Sequence, residues 1–214
     1  MSSKINIQKV FQEKGNQAAE QVARQIIENK KLLTPIYDGV TGSNKRIKNA
    51  AAKTLQILSA RKPNLLYPKF DFFLQLINGD DTILKWIALD VIGNVSAVDT
   101  KNRINKKILQ KLFDLLSDES MITASHSIAA LGNIAVHKPR HRMEITAHLL
   151  RVEKIKRNPE CCNILIGHTI LALTEYIDQC PDKKPVLAFA RRALKNSRFA
   201  TRKKTEKFLK QFSE

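Results

Sequence analysis

The chain has 214 residues, of which 43% are hydrophobic and 27% charged, a composition typical of a folded protein. Thirty-seven Lys and Arg stand against 20 Asp and Glu, so the formal net charge is +17 at pH 7. Seven Gly and seven Pro are too few for the many turns of an all-β fold. Because the sequence has neither a membrane-length apolar run nor a signal-peptide core, we expect a cytoplasmic protein that does not contact a membrane.

The first predicted elements cap the chain at its N-terminal end. Residues 5–29, INIQKVFQEKGNQAAEQVARQIIEN, are predicted to supply a helical pair ahead of the first repeat. Residues 1–29 are therefore interpreted as an N-terminal cap.

Residues 30–182 are built from a repeated sequence pattern. TILKWIALDVIGNVSA, residues 82–97, returns as MITASHSIAALGNIAV, residues 121–136. Each copy places small or apolar residues at i, i+3, i+4 and i+7, the pattern of a buried helix face. The same apolar slot recurs at intervals of 37, 39, 42 and 36 residues, at Leu55, Ile92, Leu131, Leu173 and Leu209.

An amphipathic segment and a turn precede each copy. Turns such as NGDD at 78–81 and SDES at 117–120 can end one helix and cap the next. The repeating unit is thus helix, turn, helix, and such units stack because none can bury its apolar face alone. We predict an all-α fold, a right-handed α-α superhelix of about five helix pairs, in a single domain over 1–214 whose final pair is the basic segment 183–214.

The second helices resemble those of HEAT repeats, which read V-R-x-x-A-A-x-A-L-G. LKWIALDVIG at 84–93 and IKNAAAKTLQ at 47–56 are similar to that pattern position by position. The resemblance covers residues 30–137 and fades from 143 onward. It implies an armadillo-like architecture, whose members include scaffolds, transport receptors, nucleic-acid binders and a few enzymes. We expect Gly93 and Gly132 to let the adjacent helix approach closely.

Common catalytic motifs are missing from the sequence. It contains no HExxH, GxSxG or P-loop, so we expect no cofactor and no small-molecule substrate. The branch of the HEAT family similar to deoxyhypusine hydroxylase binds iron through His-Glu dipeptides, which do not occur here. His126 and His168 occupy equivalent positions in consecutive second helices, where we expect hydrogen-bonded histidines and no metal. Cys161, Cys162 and Cys180 lack CxxC spacing and are expected to be reduced thiols.

Trp86 and Asp90 form the enzymatic candidate, because their i, i+4 spacing places them on one helix face. They resemble the aromatic-plus-Asp pair of HEAT-like bacterial alkylpurine DNA glycosylases, in which the Asp would stabilise positive charge developing on the sugar as the damaged base leaves. The resemblance ends there, because LKWIALD lacks the second Trp and the first Asp of that motif. We expect a packed Trp86 and a solvated Asp90, and favour a non-catalytic protein.

Positive charge is segregated along the chain. Residues 183–214 hold eleven Lys and Arg against two Glu, whereas residues 71–100 hold five Asp and one Lys. Further basic clusters are HKPRHR at 137–142 and NKRIK at 44–48. Clustered cations gain affinity by releasing counterions from phosphates. The predicted anion-binding residues are Lys45, Arg46, Lys48, Lys138, Arg140, Arg142, Arg191, Arg192, Lys195, Arg198, Arg202, Lys203, Lys204 and Lys207.

The sequence therefore predicts a binding scaffold that contacts a polyanion such as nucleic acid, through its backbone and with little sequence preference. A scaffold that binds an acidic segment of a partner protein is the alternative. The third hypothesis is the glycosylase that would use Trp86 and Asp90.

Overall fold

The computed structural model describes residues 7–212, which fall into two compact units that divide between Val98 and Asp99. The regular structure of these residues is helical, without a β-strand. None of their helices is both long and apolar enough to cross a membrane. Residues 1–6 and 213–214, which belong to the predicted cap and the predicted basic pair, lie outside the described residues.

The first unit stacks its longer helices in chain order. Its α-helices between residues 7 and 98 are α1 (Ile7–Lys14), α2 (Ala19–Glu28), α3 (Leu33–Thr41), α4 (Lys45–Arg61), α5 (Phe70–Asn78) and α6 (Thr82–Val95). Helix α4 packs between α2 and α6, while α3 packs against α4 and α5 against α6. This arrangement agrees with the predicted stacking of helix pairs, while the role of residues 1–29 as a cap stays a prediction.

The second unit follows the same rule. Its α-helices between residues 99 and 212 are α7 (Lys106–Asp114), α8 (Met121–His137), α9 (Pro139–Leu149), α10 (Pro159–Thr174), α11 (Lys184–Ala193) and α12 (Phe199–Phe212). Helix α10 packs between α8 and α12, while α7 and α9 pack against α8 and α11 packs against α12. The second helices of the last three predicted pairs, α8, α10 and α12, therefore stack side by side in chain order.

Short polar side chains begin these helices, as the turn sequences predict. Asp81 accepts from the backbone N–H groups of Ile83 and Leu84 at 3.1 and 3.2 Å, and Ser120 accepts from the N–H of Thr123 at 3.3 Å. Each bond satisfies an N–H that has no partner within its own helix, typically worth about 1 kcal/mol. Three further helices, α4, α7 and α10, are capped in the same way by Asn44, Asn105 and Asn158.

The repeated apolar slot is the centre of each stack. Leu55, Ile92, Leu131 and Leu173 are all inaccessible to solvent. Burying a side chain of this size stabilises the fold by about 1.5–3 kcal/mol relative to leaving it exposed. The fifth member, Leu209, is half-buried, so the slot is less complete in the last helix.

Candidate functional site

The first predicted basic cluster lies in the first turn of α4. The Arg46 guanidinium donates through Nη2 to the carbonyl oxygen of Glu13 at 2.7 Å, and Lys48 Nζ lies 3.5 Å from Asp81 Oδ2. Lys45 is exposed. Two of these three cations are thus engaged by the first unit itself.

Most cations of the second predicted cluster, residues 137–142, bind groups of the protein itself. Lys138 Nζ lies 3.3 Å from Oδ2 of Asp99, whose side chain is inaccessible, and donates to the Asp99 carbonyl oxygen at 2.5 Å. Lys138 therefore neutralises a buried carboxylate, and its role in binding a polyanion stays a prediction. Arg140 is exposed, and its guanidinium donates to His141 Nε2 at 3.0 Å and to the Ile104 carbonyl oxygen at 3.3 Å.

Arg142 is only 8% exposed. Its Nε donates to the carbonyl oxygen of Ala135 at 3.0 Å and its Nη2 to that of Val136 at 3.3 Å, in the last turn of α8. Its Nη1 and Nη2 also donate to the backbone and side-chain oxygens of Gln179 at 2.9 and 2.6 Å. Because the last carbonyls of a helix lack intrahelical partners, Arg142 caps α8 from outside. Arg142 does not belong to the exposed cations, and its predicted anion binding stays a prediction.

The third predicted cluster, within residues 183–214, lies on α11, α12 and the connection between them. Some of its members are paired: Arg192 Nη2 lies 2.8 Å from Glu153 Oε1, and Arg198 forms an ion pair with Glu160. Arg202 donates to backbone carbonyls of the loop before α12, at 2.7 and 2.8 Å. Exposed cations of α11, α12 and their connection without a carboxylate partner among residues 7–212 are Lys184, Arg191, Lys195, Lys203, Lys207 and Lys210, with Lys204 half-buried beside them.

Phe199, the first residue of α12, is 64% exposed. The Arg202 Cζ lies 5.7 Å and the Lys203 Nζ 5.5 Å from the centroid of its ring. Both distances are within the range of a cation–π contact, which is worth about 0.5–1 kcal/mol at an exposed site. The result is an aromatic surface surrounded by positive charge.

His126 of α8, His168 of α10 and Lys204 of α12 occupy one position in successive layers of the second unit. All three side chains are half-buried. Burial lowers the pKa of His168 below its ordinary value of 6.5, and the positive charge of Lys204 and the neighbouring His126 lower it further. His126 and Lys204 both lie close enough to His168 to lower its pKa. This agrees with the prediction that the two histidines occupy equivalent positions in consecutive second helices, and Lys204 extends the row.

Two large apolar side chains lie beside this row. Ile122, one turn before His126, is 39% exposed, and Leu171, one turn after His168, is 45% exposed. The solvent-facing side of α8 and α10 thus combines apolar and basic groups.

Trp86 and Asp90 lie on α6, in the first unit, and both are half-buried. The Gln56 amide donates through Nε2 to the Asp90 carboxylate. Asp90 is thus held by the neighbouring helix α4, whereas the sequence suggests a solvated residue. The glycosylase hypothesis stays a prediction.

Metal-ligating residues do not converge in the described part of the chain. Residues 7–212 contain no group of three or more His, Cys, Asp or Glu side chains that could hold a metal ion. Cys161, Cys162 and Cys180 are half-buried thiols without a disulfide bond.

Solved structures with the same arrangement of helices identify the fold. Computationally designed armadillo repeat proteins for modular peptide recognition superpose on 96% of this chain and 91% of their own, with a TM-score of 0.64 at 16% identity. An engineered protein superposes on 97% of this chain and 92% of its own, with a TM-score of 0.58 at 12% identity. The fold is an α-solenoid of the armadillo/HEAT type. The predicted all-α solenoid class is thereby confirmed.

A curated relative of the solenoid is the AP-2 complex subunit beta of Schizosaccharomyces pombe, which is 24% identical over 154 residues. The match covers 72% of the solenoid and 22% of the relative, so the solenoid spans about a fifth of the length of that protein. No family model matches the chain.

Sequence reasoning missed two features of the solenoid's second unit. The spacing of 36 residues between the last two copies aligns Lys204 with His168, so the row could have been found by extending the repeat register by one layer. The exposure of Phe199 had no such signal, because an aromatic residue at a helix start is as readily buried as exposed.

Proposed function

We propose that this solenoid is a binding scaffold that holds an acidic segment of a partner protein on its second unit. The observation that carries the proposal is the set of exposed cations on α11 and α12 that have no carboxylate partner among residues 7–212. Oriented cations of this kind raise the rate of encounter with an acidic ligand and fix its position.

Solubility alone does not account for this charge. The last helices of a solenoid need a polar outer face, but Glu would serve that need as well as Lys. Most of the basic residues at the starts of α4 and α9 bind groups of the protein itself. Lys138 pairs with Asp99, for example, and Arg142 donates to the Ala135 carbonyl oxygen. The cations of α11 and α12 are different because Lys203 and Lys207 extend into solvent one turn apart.

An acidic protein segment suits the surface better than a phosphate backbone. Ile122 of α8 and Leu171 of α10 are exposed on the helices that stack in a row with α12, which carries Lys204. Apolar side chains of a peptide can cover them. A nucleic-acid backbone offers only the C–H groups of its sugars between charged phosphates, which match these apolar side chains less well. Similarity to designed armadillo repeat proteins for modular peptide recognition is consistent with a peptide ligand.

Single-stranded nucleic acid is the second candidate, favoured by Phe199. Its exposed ring lies beside Arg202 and Lys203. Base stacking on such a ring, with phosphate contacts from neighbouring cations, is how many proteins bind single strands without sequence preference. Phe199→Ala would then weaken binding of a single strand by roughly tenfold, in line with about 1–3 kcal/mol per stacked base.

Fluorescence anisotropy with labelled ligands distinguishes the candidates. The ligands are an acidic peptide, the same peptide with Gln for every Glu, single-stranded RNA and duplex DNA, each at about 50 and about 200 mM salt. We expect the acidic peptide to bind and its Gln version not to bind. The double variant Lys203→Glu, Lys207→Glu should weaken acidic-peptide binding by about tenfold or more.

The matched control is Lys30→Glu, Lys31→Glu, which makes the same change of net charge in the first unit, where both side chains are exposed. It should leave the affinity within about twofold at the higher salt concentration, because the proposed ligand binds the second unit and salt screens exposed charges outside the binding site. RNA binding with a steep salt dependence, together with no binding of the acidic peptide, would favour the second candidate. Failure of every ligand at the lower salt concentration would refute both.

A further inference from the structure

We propose that the acidic segment crosses α8, α10 and α12 as a polyproline II helix and places a carboxylate of every third residue on His126, His168 and Lys204 in turn. This inference rests on the proposed function and specifies its ligand.

The three side chains are in register. A buried residue stands three positions before each of His126, His168 and Lys204, and another stands four positions after each. Residues three and four apart lie on one face of a helix, so the flanking residues fix the same orientation in each layer. The buried flanking residues are Thr123, Leu165 and Thr201 before the row and Ala130, Ala172 and Phe208 after it.

Small residues bring the layers close together at the row. A Cβ atom added to Gly167 would lie 2.8 Å from Thr201 Oγ1 and 3.6 Å from Lys204 Cδ. The Lys204 stem therefore lies close to Gly167, the residue before His168 on α10. A Cβ atom added to Gly132 would lie 2.9 Å from the Cβ of Ala172, so α8 and α10 are equally close.

This packing sets the spacing of the ligand. Helices in contact are about 8–10 Å apart, and closely packed helices with small residues lie within that range. A polyproline II chain has three residues per turn and rises about 3.1 Å per residue, so every third side chain recurs on one face after about 9 Å. A β-strand is a poorer match, because its same-face side chains recur after about 7 Å.

Apolar residues of the segment would fit beside the carboxylates. Ile122 and Leu171 stand one turn from His126 and His168 respectively, and both are substantially exposed. The preferred ligand is thus Glu-x-x-Glu-x-x-Glu with Pro or aliphatic residues between the acids. Pro also favours the polyproline II conformation and lowers the entropy lost on binding.

Protonation of His168 links binding to pH. A carboxylate placed on His168 favours its imidazolium form and offsets the effects of burial, Lys204 and His126. The bound complex therefore takes up protons, and affinity should rise as the pH falls from about 7.5 to about 5.5, where Glu side chains of the ligand stay ionised.

Other charges around α10 do not reverse this effect. At the start of α10, Glu160 is paired with Arg198. The turn Val152–Lys154 packs on α10 and contributes Glu153, which is paired with Arg192 of α11, and the exposed Lys154. The exposed Glu175 follows the last turn of α10, seven residues from His168.

The test compares three labelled peptides of identical composition, with Glu at every second, every third or every fourth position, by anisotropy at pH 7.5 and pH 5.5. We expect the every-third peptide to bind at least about fivefold more tightly than the others and to gain a further few-fold at pH 5.5. This comparison uses the unaltered protein, so it does not depend on the folding of a variant.

Variants then assign the effect to the row. His126→Asn, His168→Asn should abolish both the spacing preference and the pH dependence, and Lys204→Gln should reduce the preference. The control His137→Asn changes an exposed histidine at the end of α8 and should alter neither. Binding of all three peptides with equal affinity, or a preference that survives in the double variant, overturns the inference and leaves the proposed function intact. If no acidic peptide binds, both fail.

Discussion

Gly132 of α8 lies so close to α10 that an added Cβ atom would stand 2.9 Å from the Cβ of Ala172. Real Cβ atoms do not approach each other so closely, and Ala172 has no flexible end that could move away. The expected close approach at this glycine is thus confirmed. For Gly93 it stays a prediction, although that residue is buried on α6.

We predict that Gly132→Ala destabilises the solenoid, although alanine is the better helix former. Overpacking a close helix contact costs about 1–3 kcal/mol, whereas the gain in helix propensity is about 1 kcal/mol. Urea denaturation followed by circular dichroism measures the difference. Gly79→Ala is the control, because a Cβ atom there would lie 3.5 Å from the Leu76 carbonyl oxygen, an ordinary contact. Equal stability of the two variants would contradict the argument.

Arg142→Ala should destabilise the protein by about 2–4 kcal/mol, since it removes bonds from a charged donor and leaves buried carbonyls unpaired. Arg191→Ala removes the same side chain from an exposed position and should change the free energy of unfolding by less than about 0.5 kcal/mol. Thermal and urea unfolding of both variants checks the contrast. A stable Arg142→Ala protein would show that its guanidinium does not cap α8.

Asp99→Asn should cost about 3 kcal/mol, because it leaves the Lys138 ammonium beside an inaccessible neutral group. The surface pair of Asp178 and Lys183 is the comparison: its Nζ–Oδ1 distance is 2.5 Å, but the Asp178 side chain is 68% exposed. Asp178→Asn should therefore cost less than about 1 kcal/mol. Chemical denaturation of the two variants at the same pH measures both values. Similar losses would mean that burial does not strengthen the Asp99 pair.

The stability of the protein should fall as the pH is lowered below about 6.5. Burial lowers the pKa of four histidines from the ordinary value of 6.5, so the unfolded chain takes up protons that the folded chain resists. The contribution of these neutral histidines to the free energy of unfolding is therefore fully present above pH 6.5. It is lost as the pH falls from that value through the lower pKa values of the folded state. Urea midpoints at pH 7.5, 6.5 and 5.5 measure the slope. A flat or rising profile would contradict these pKa directions, which apply to His137, His141, His148 and His168.

Replacing one of these histidines tests the origin of the slope. His141 is 8% exposed and its Nε2 lies 3.3 Å from the Ile104 carbonyl oxygen. His141→Asn should make the unfolding free energy less dependent on pH between 6.5 and 5.5, whatever its effect at pH 7.5. An unchanged slope would assign the pH dependence to other groups.

The helix order was predictable because the repeat reports a physical requirement. Leu55, Ile92, Leu131 and Leu173 recur since each layer must cover the next, and residues such as Asp81 mark the helix starts by their capping chemistry. The roles of the cations were less predictable. Lys and Arg are usually exposed, so the sequence alone gave no reason to expect Arg142 to be buried. That depends on carbonyl groups of α8 and of Gln179, which only tertiary packing brings within reach.

The stacking of α8, α10 and α12 also has a kinetic consequence. Each contact between successive layers closes a chain loop of about forty residues, and loop-closure entropy depends only weakly on small differences in length. Layers of this kind can nucleate at any sufficiently stable neighbour pair and grow outward. We therefore expect refolding of the second unit to be limited by whichever interface forms first, with the rest following on a rapid timescale set by short-range diffusion of the chain.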